Sequence, residues 1–136
     1  MNAMEKVAWA ELTISLGSIV VVSSLYPFLG SGATGGFGLL GLLGGTIWFL
    51  RRRNKAVLVD ERDRQIEQRA TLFGIESAWM VLFVSLIVIV IWSSQHDVRT
   101  VNTSLLTWLV WIQFAICYAV KGLAAVVIYR RQKRAA

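Results

Sequence analysis

The residues best able to do chemistry in this chain are ionisable, and they fall into two groups. Glu11, Glu76 and Lys121 stand inside long apolar stretches. Asp60, Glu61, Arg62, Asp63 and Glu67 crowd the central run VDERDRQIEQRA at 59–70. A charge deep in lipid costs about 2.5–3.5 kcal/mol on insertion scales, so residues of the first group are placed for pairing or for function. Counted inward from Lys6, Arg69 and Arg130 at the helical rise, they lie about 7, 10 and 13 Å deep, one shared layer. Two readings follow. The layer is structural, with one ion pair and one carboxylate snorkelling to the interface. Alternatively it responds to protons or cations, because two carboxylates beside one lysine are not charge-matched. The stretches that hold Glu76 and Lys121 are joined by a short connection, so Glu76 is the expected partner of Lys121, with Glu11 the alternative. Glu11 also shares a helical face with Ser15 and Ser18, a polar stripe.

Other chemistry is poorly supplied. His96 and Cys117 are the single histidine and cysteine, and no nucleophilic or zinc-type constellation can be assembled from one of each. Cys117 lies in an apolar stretch and is expected to pack as a small side chain. Asn102-Thr103-Ser104 matches a glycosylation sequon, a pattern common by chance. The expectation is no enzyme, no cofactor and no metal site.

The second group divides when placed on a helix. Asp60, Asp63, Arg64 and Glu67 share a face that continues as Thr71, Gly74 and Ala78. Arg62, Ile66, Arg69 and Phe73 share the opposite one. Asp60 suits an N-cap, with Asp63 at the third position after it. Asp60–Arg64 and Arg64–Glu67 are spaced for pairs of about 0.2–0.5 kcal/mol each. The run therefore reads as a capped, self-paired extension of the helix that follows. Asp63 and Glu67 are nevertheless like charges four residues apart. With Asp60 they form an acidic arc that could hold a partner's arginine or a hard cation, or be met by the chain's own RRRNK at 51–55.

The elements that position these residues follow from composition. Of 136 residues, 56% are hydrophobic and 16% charged, against roughly 25% charged in soluble domains; the mean hydropathy is +0.60. Four apolar stretches, at about 7–28, 33–50, 72–92 and 105–129, approach or exceed the ~20 residues that cross a bilayer. Lipid leaves backbone amides no outside partner, so the stretches are expected to be helices. The expected fold is all-α: a single four-helix transmembrane bundle with a charged loop at about 51–70. The first stretch is longer than the ~7–15 apolar residues of a secretion signal and is interrupted by Glu11, so it is expected to be a retained span.

Basic residues set the orientation. Arg51, Arg52, Arg53, Lys55, Arg62, Arg64 and Arg69 lie between the second and third stretches. Arg130, Arg131, Lys133 and Arg134 follow the fourth, and Lys6 precedes the first. Both termini and the central loop are expected on the cytoplasmic side of the plasma membrane, with Trp48, Trp92 and Trp108 near the interfaces. The net charge of +6 is then a topology signal and an attraction to anionic headgroups. Aromatic and basic residues are not interleaved as nucleic-acid binding would need. In the second stretch Gly32/Gly36 and Gly41/Gly45 have small-xxx-small spacing. This suits packing on the chain's own neighbours, or a homodimer through Gly36, Gly41 and Gly45.

VDERDRQIEQRATLFG at 59–74 resembles the loop of a family of small prokaryotic multi-span membrane proteins with a domain of unknown function. Those proteins carry a similar Val-Asp-Glu-Arg-x-x-x-Ile core between their middle helices. The resemblance covers Asp60, Glu61, Arg62 and Ile66 closely and the four-helix layout loosely. It implies fold and topology, and an association of such proteins with small helix-turn-helix regulators. The favoured function is partner binding or regulation through the charged loop. The alternative is a small oligomeric transporter or channel built on Glu11, Glu76 and Lys121.

Overall fold

A computed structural model describes residues 3–45, 61–96 and 100–135. Among these residues all regular structure is helical: α1 at Ala3–Leu29, a 3-10 segment at Gly30–Gly41, α2 at Glu61–Gln95 and α3 at Thr103–Ala135. Three helical stretches are long and apolar enough to cross a membrane, Met4–Gly45, Glu61–Gln95 and Thr103–Gln132.

The first of these stretches is not straight. Gly30 has φ +55°, a left-handed conformation that glycine adopts without a Cβ penalty. Pro27, in the last turn of α1, precedes it. Beyond Gly30 the chain folds back: Val22 clusters with Ala33, Phe37, Leu40 and Leu43. In a straight helix Val22 and Leu40 would stand ~27 Å apart. The returning segment is 3-10 rather than the α-helix expected from the sequence. Its glycines at 30, 32, 35, 36, 38 and 41 are weak α formers. Gly36 also packs where a Cβ would meet Val22 Cγ2 at 2.8 Å. Residues 42–45 continue as a helical turn; Trp48 and the rest of the expected second span, 46–50, lie outside the described residues.

Residues 61–70, the second half of the stretch read as a loop, are helix, as the alternative reading of that run had it. Its proposed cap, Asp60, and the RRRNK segment lie outside the described residues. α3 is capped by Asn102, whose side-chain oxygen accepts the Ser104 amide at 3.0 Å, so the sequon asparagine serves a helix start.

α3 packs against both α1 and α2. Ala8 and Leu12 of α1, Ile66 and Ala70 of α2, and Ala125, Val126 and Tyr129 of α3 form one core. The start of α1, the end of α3 and the start of α2 therefore meet at one end of the bundle, the terminal end. Val22, Ala33, Phe37, Leu40, Leu43 and Ala115 form a second core toward the opposite, hairpin end. There Trp108 meets Tyr26 and Phe37 edge-on at 5.7 and 6.1 Å. Large apolar side chains such as Leu16, Phe83, Val90 and Val110 point outward. That inverts a soluble protein and fits a lipid solvent.

Candidate functional site: a polar cluster at the terminal end

Helix α1 turns an unusual face inward. Glu11 is 2% exposed, and Ser15 and Ser18 are fully buried. They recur at four and three residues, one stripe along α1. Ser18 Oγ donates to the Ser15 carbonyl at 2.8 Å. Ser15 Oγ has no hydrogen-bond partner among the described residues.

Lys121 closes the cluster from α3. Its Nζ donates to Glu11 Oε1 at 2.9 Å and lies 2.7 Å from Glu67 Oε1 on α2. One ammonium thus ties all three helices together. The Lys121 side chain is 12% exposed and that of Glu67 38%, so the Glu11 side of the bridge is dry and the Glu67 side is partly wet. Its geometry depends on two close backbone approaches. A Cβ on Gly74 would lie 2.6 Å from the Cys117 carbonyl oxygen and 3.0 Å from Lys121 Cβ. One on Gly122 would lie 2.7 Å from the Leu12 nitrogen. Glycine at these two sites brings α2 and α1 close to α3, which is how helices associate where apolar burial gives little net gain.

One to two turns nearer the terminal end, Tyr129 on α3 donates its hydroxyl to Asp63 Oδ1 on α2 at 2.9 Å, in a buried contact. Arg62 Nε donates to Gln132 Oε1 at 2.9 Å at the surface. Glu5 is also buried on α1.

This arrangement departs from the sequence expectation in three places. Glu76 is exposed and does not join the layer; Glu67 takes its place beside Lys121. The buried face of α2 carries Asp63, Ile66, Ala70, Gly74 and Ala78, and Glu76 sits about 200° from Gly74 at 100° per residue. Counting depth alone ignored that phase. Second, Asp63 and Glu67 are engaged within the fold by Tyr129 and Lys121, with Glu67 still 38% exposed; Glu61 and Arg62 are exposed, and Asp60 lies outside the described residues. Third, Ile66 is buried in the terminal core rather than lying on an exposed arginine face. Tyr129 was missed, although a tyrosine just before the basic run is where a phenol can meet an acidic partner. Of the glycines expected at a dimer contact, Gly36 is taken up by Val22 of its own chain, while Gly41 and Gly45 face open space.

The cluster has the makings of a structural clamp. Two carboxylates meet one ammonium, so as ionised groups the three carry one net negative charge. Among the described residues no group of three or more His, Cys, Asp or Glu side chains is arranged to hold a metal ion. Cys117 is half-buried. His96 stacks on Trp92 at 4.6 Å and meets the Trp92 carbonyl at 2.9 Å, far from the cluster.

A family model described as "Predicted membrane protein (DUF2178)" matches residues 6–133. Neither a curated protein nor a solved structure matches the chain.

Proposed function

The chain belongs to the family described as predicted membrane protein (DUF2178), and from that premise we propose that it is a non-enzymatic membrane protein that presents the first turns of α2 to a protein partner. One observation carries this reading. Asp63 and Glu67 are fastened to α3 by Tyr129 and Lys121, which fixes the helix start and leaves Glu61, Arg62, Arg64 and Arg69 outward. A largely basic helix face, three arginines and one glutamate, held in one pose, loses little freedom when a complementary surface docks.

The proposed topology is four spans in the plasma membrane with both termini and the 51–70 segment cytoplasmic. The reversal at Gly30 and the meeting of Ala8, Ile66 and Tyr129 at one end support an even number of crossings. The basic residues around that end favour the cytoplasm. Single cysteines at Ser94 and Asn54, in a Cys117→Ser background, test it. An impermeant reagent on intact cells should label the Ser94 position and spare the Asn54 position; the reverse pattern overturns the orientation. Partner binding is tested by Glu61→Arg with Arg64→Glu, which exchanges two of the outward charges at constant net charge and leaves the clamp intact. A protein captured by the wild type from native membranes should be lost with the exchanged charges and kept with Glu76→Gln. Capture unchanged by the exchange refutes the reading.

The second reading, a small transporter or a proton-responsive protein, is favoured by the two carboxylates on Lys121 and by the fully buried Ser15 hydroxyl, which has no partner among the described residues. Against it stands the apolar core of Val22, Phe37 and Leu40 beyond Ser18, which offers no polar route onward. Proteoliposomes with a pH-sensitive interior dye separate the two: transport requires a flux that Glu11→Gln abolishes.

A further inference from the structure

On the lipid-facing side of the α1–α3 contact, two exposed helix faces meet at one pair of residues. The Arg130 guanidinium lies over the Trp9 ring, 5.1 Å from its centroid. On α1, Lys6, Trp9 and Leu16 follow one another at three and seven residues and so share a face. Lys6 and Leu16 are exposed, and Trp9 is half-buried against the terminal core. On α3, Leu123, Val127 and Arg130 share a face in the same way, and all three are exposed. The close approach of Gly122 to Leu12 and Ala8 sets these two faces side by side.

The chemistry of this surface is graded along the bundle. Lys6 and Arg130 are at its terminal end. Leu16 and Leu123 lie about 10 Å further in, seven residues from Trp9 and Arg130 respectively. Glu5, one turn from Trp9, and Glu11 are both buried on α1, and among the described residues neither Lys6 nor Arg130 takes part in an ion pair. The indole holds the guanidinium by a cation–π contact and leaves its N–H edge free, a fork that matches phosphate oxygens.

We propose that this surface binds one anionic phospholipid. The phosphate of the headgroup sits between Arg130 and Lys6, above the Trp9 ring, and the acyl chains lie along Leu16, Leu123 and Val127. A lipid is the occupant because the apolar half of the surface belongs to Met4–Gly45 and Thr103–Gln132, stretches long and apolar enough to cross a membrane. A soluble anion would meet only the cationic half. A zwitterionic lipid offers the same phosphate but brings its own ammonium against two cations. This inference is independent of the partner-binding proposal, because no residue of the outward face of α2 takes part.

The test is native mass spectrometry of the full chain in nonionic detergent, with phosphatidylglycerol and phosphatidylcholine of identical acyl chains added in turn. One phosphatidylglycerol should be retained in preference to phosphatidylcholine. Arg130→Gln should lower that retention about fivefold, the effect of one surface cation on an anionic lipid. Arg130→Lys, which keeps the charge without the fork, should lower it less. Arg64→Gln, on α2, should leave it unchanged. Inorganic phosphate in millimolar excess should fail to displace the lipid. Equal retention of the two lipids overturns the proposal. So does an equal loss with Arg130→Gln and Arg64→Gln, which marks diffuse charge, or displacement by phosphate, which marks a soluble-anion site. A thermal-unfolding midpoint unchanged in Arg130→Gln separates lost binding from lost fold.

Discussion

The two ends of the bundle are held together in different ways. At the terminal end, α1, α2 and α3 meet through Lys121, Glu11 and Glu67, through Tyr129 and Asp63, and through backbone approaches at Gly74 and Gly122. At the hairpin end, α1, the 3-10 segment and α3 meet through Val22, Phe37, Leu40 and Ala115 and an aromatic set around Trp108. α2 has largely withdrawn from that end: beyond Ala78 none of its described residues is buried. In water the apolar end would be the stronger of the two. In lipid, apolar side chains gain little by leaving acyl chains for one another, and close packing and polar ties decide association. The position of α2 is thus fixed over its first five turns, and the rest of its length is left to lipid.

This contrast can be attacked at several points. The largest effect should come from Lys121→Met, which leaves Glu11 buried opposite no cation. Breaking a buried pair from one side costs about 3–5 kcal/mol, with the partly wet Glu67 contributing the smaller share. Thermal unfolding in detergent should show the loss. Next, Gly122→Ala should cost about 1–3 kcal/mol, because the added methyl meets the backbone of Leu12 and Ala8 and no side chain can turn aside. The drop in unfolding midpoint is the readout. A similar or somewhat smaller loss, about 1–3 kcal/mol, is expected for Tyr129→Phe, which removes the donor from the buried Asp63 carboxylate. Asp63→Asn added to it should recover part of that loss. The smallest effect should come from Gly41→Ala, which has open space at its Cβ and should shift stability by less than about 1 kcal/mol. A loss at Gly41 as large as that at Gly122 would mean that the hairpin end carries a tight contact too, and would point to a second copy there.

Part of this was legible in the sequence. The stripe of Glu11, Ser15 and Ser18 follows helical spacing, and the small face of α2 through Gly74 and Ala78 could be read the same way. The turn at Gly30 lies in an uncharged stretch rich in glycine. What could not be read was angular phase between helices. Hydropathy gives the depth of Glu76 but not the direction it faces, and depth alone made it the equal of Glu11. The bridge to Glu67 was hidden for a related reason. Lysine has a long flexible stem, so Nζ reaches a carboxylate nearer the terminal end than its own Cα. The 3-10 conformation of Gly30–Gly41 was also out of reach, since a hydropathy window registers that a stretch is apolar without distinguishing one helix type from another.

Lys121 ties α1 and α2 together through Glu11 and Glu67, with Glu76 uninvolved. A set of double-mutant cycles on the full chain, read by thermal unfolding in detergent, tests it most directly. Lys121→Met is combined in turn with Glu11→Gln, Glu67→Gln and Glu76→Gln. Coupling should be strong with Glu11, of order 1–3 kcal/mol, weaker with the more exposed Glu67, and absent, with additive losses, for Glu76. Coupling to Glu76 with additivity at Glu11 and Glu67 would contradict this tie.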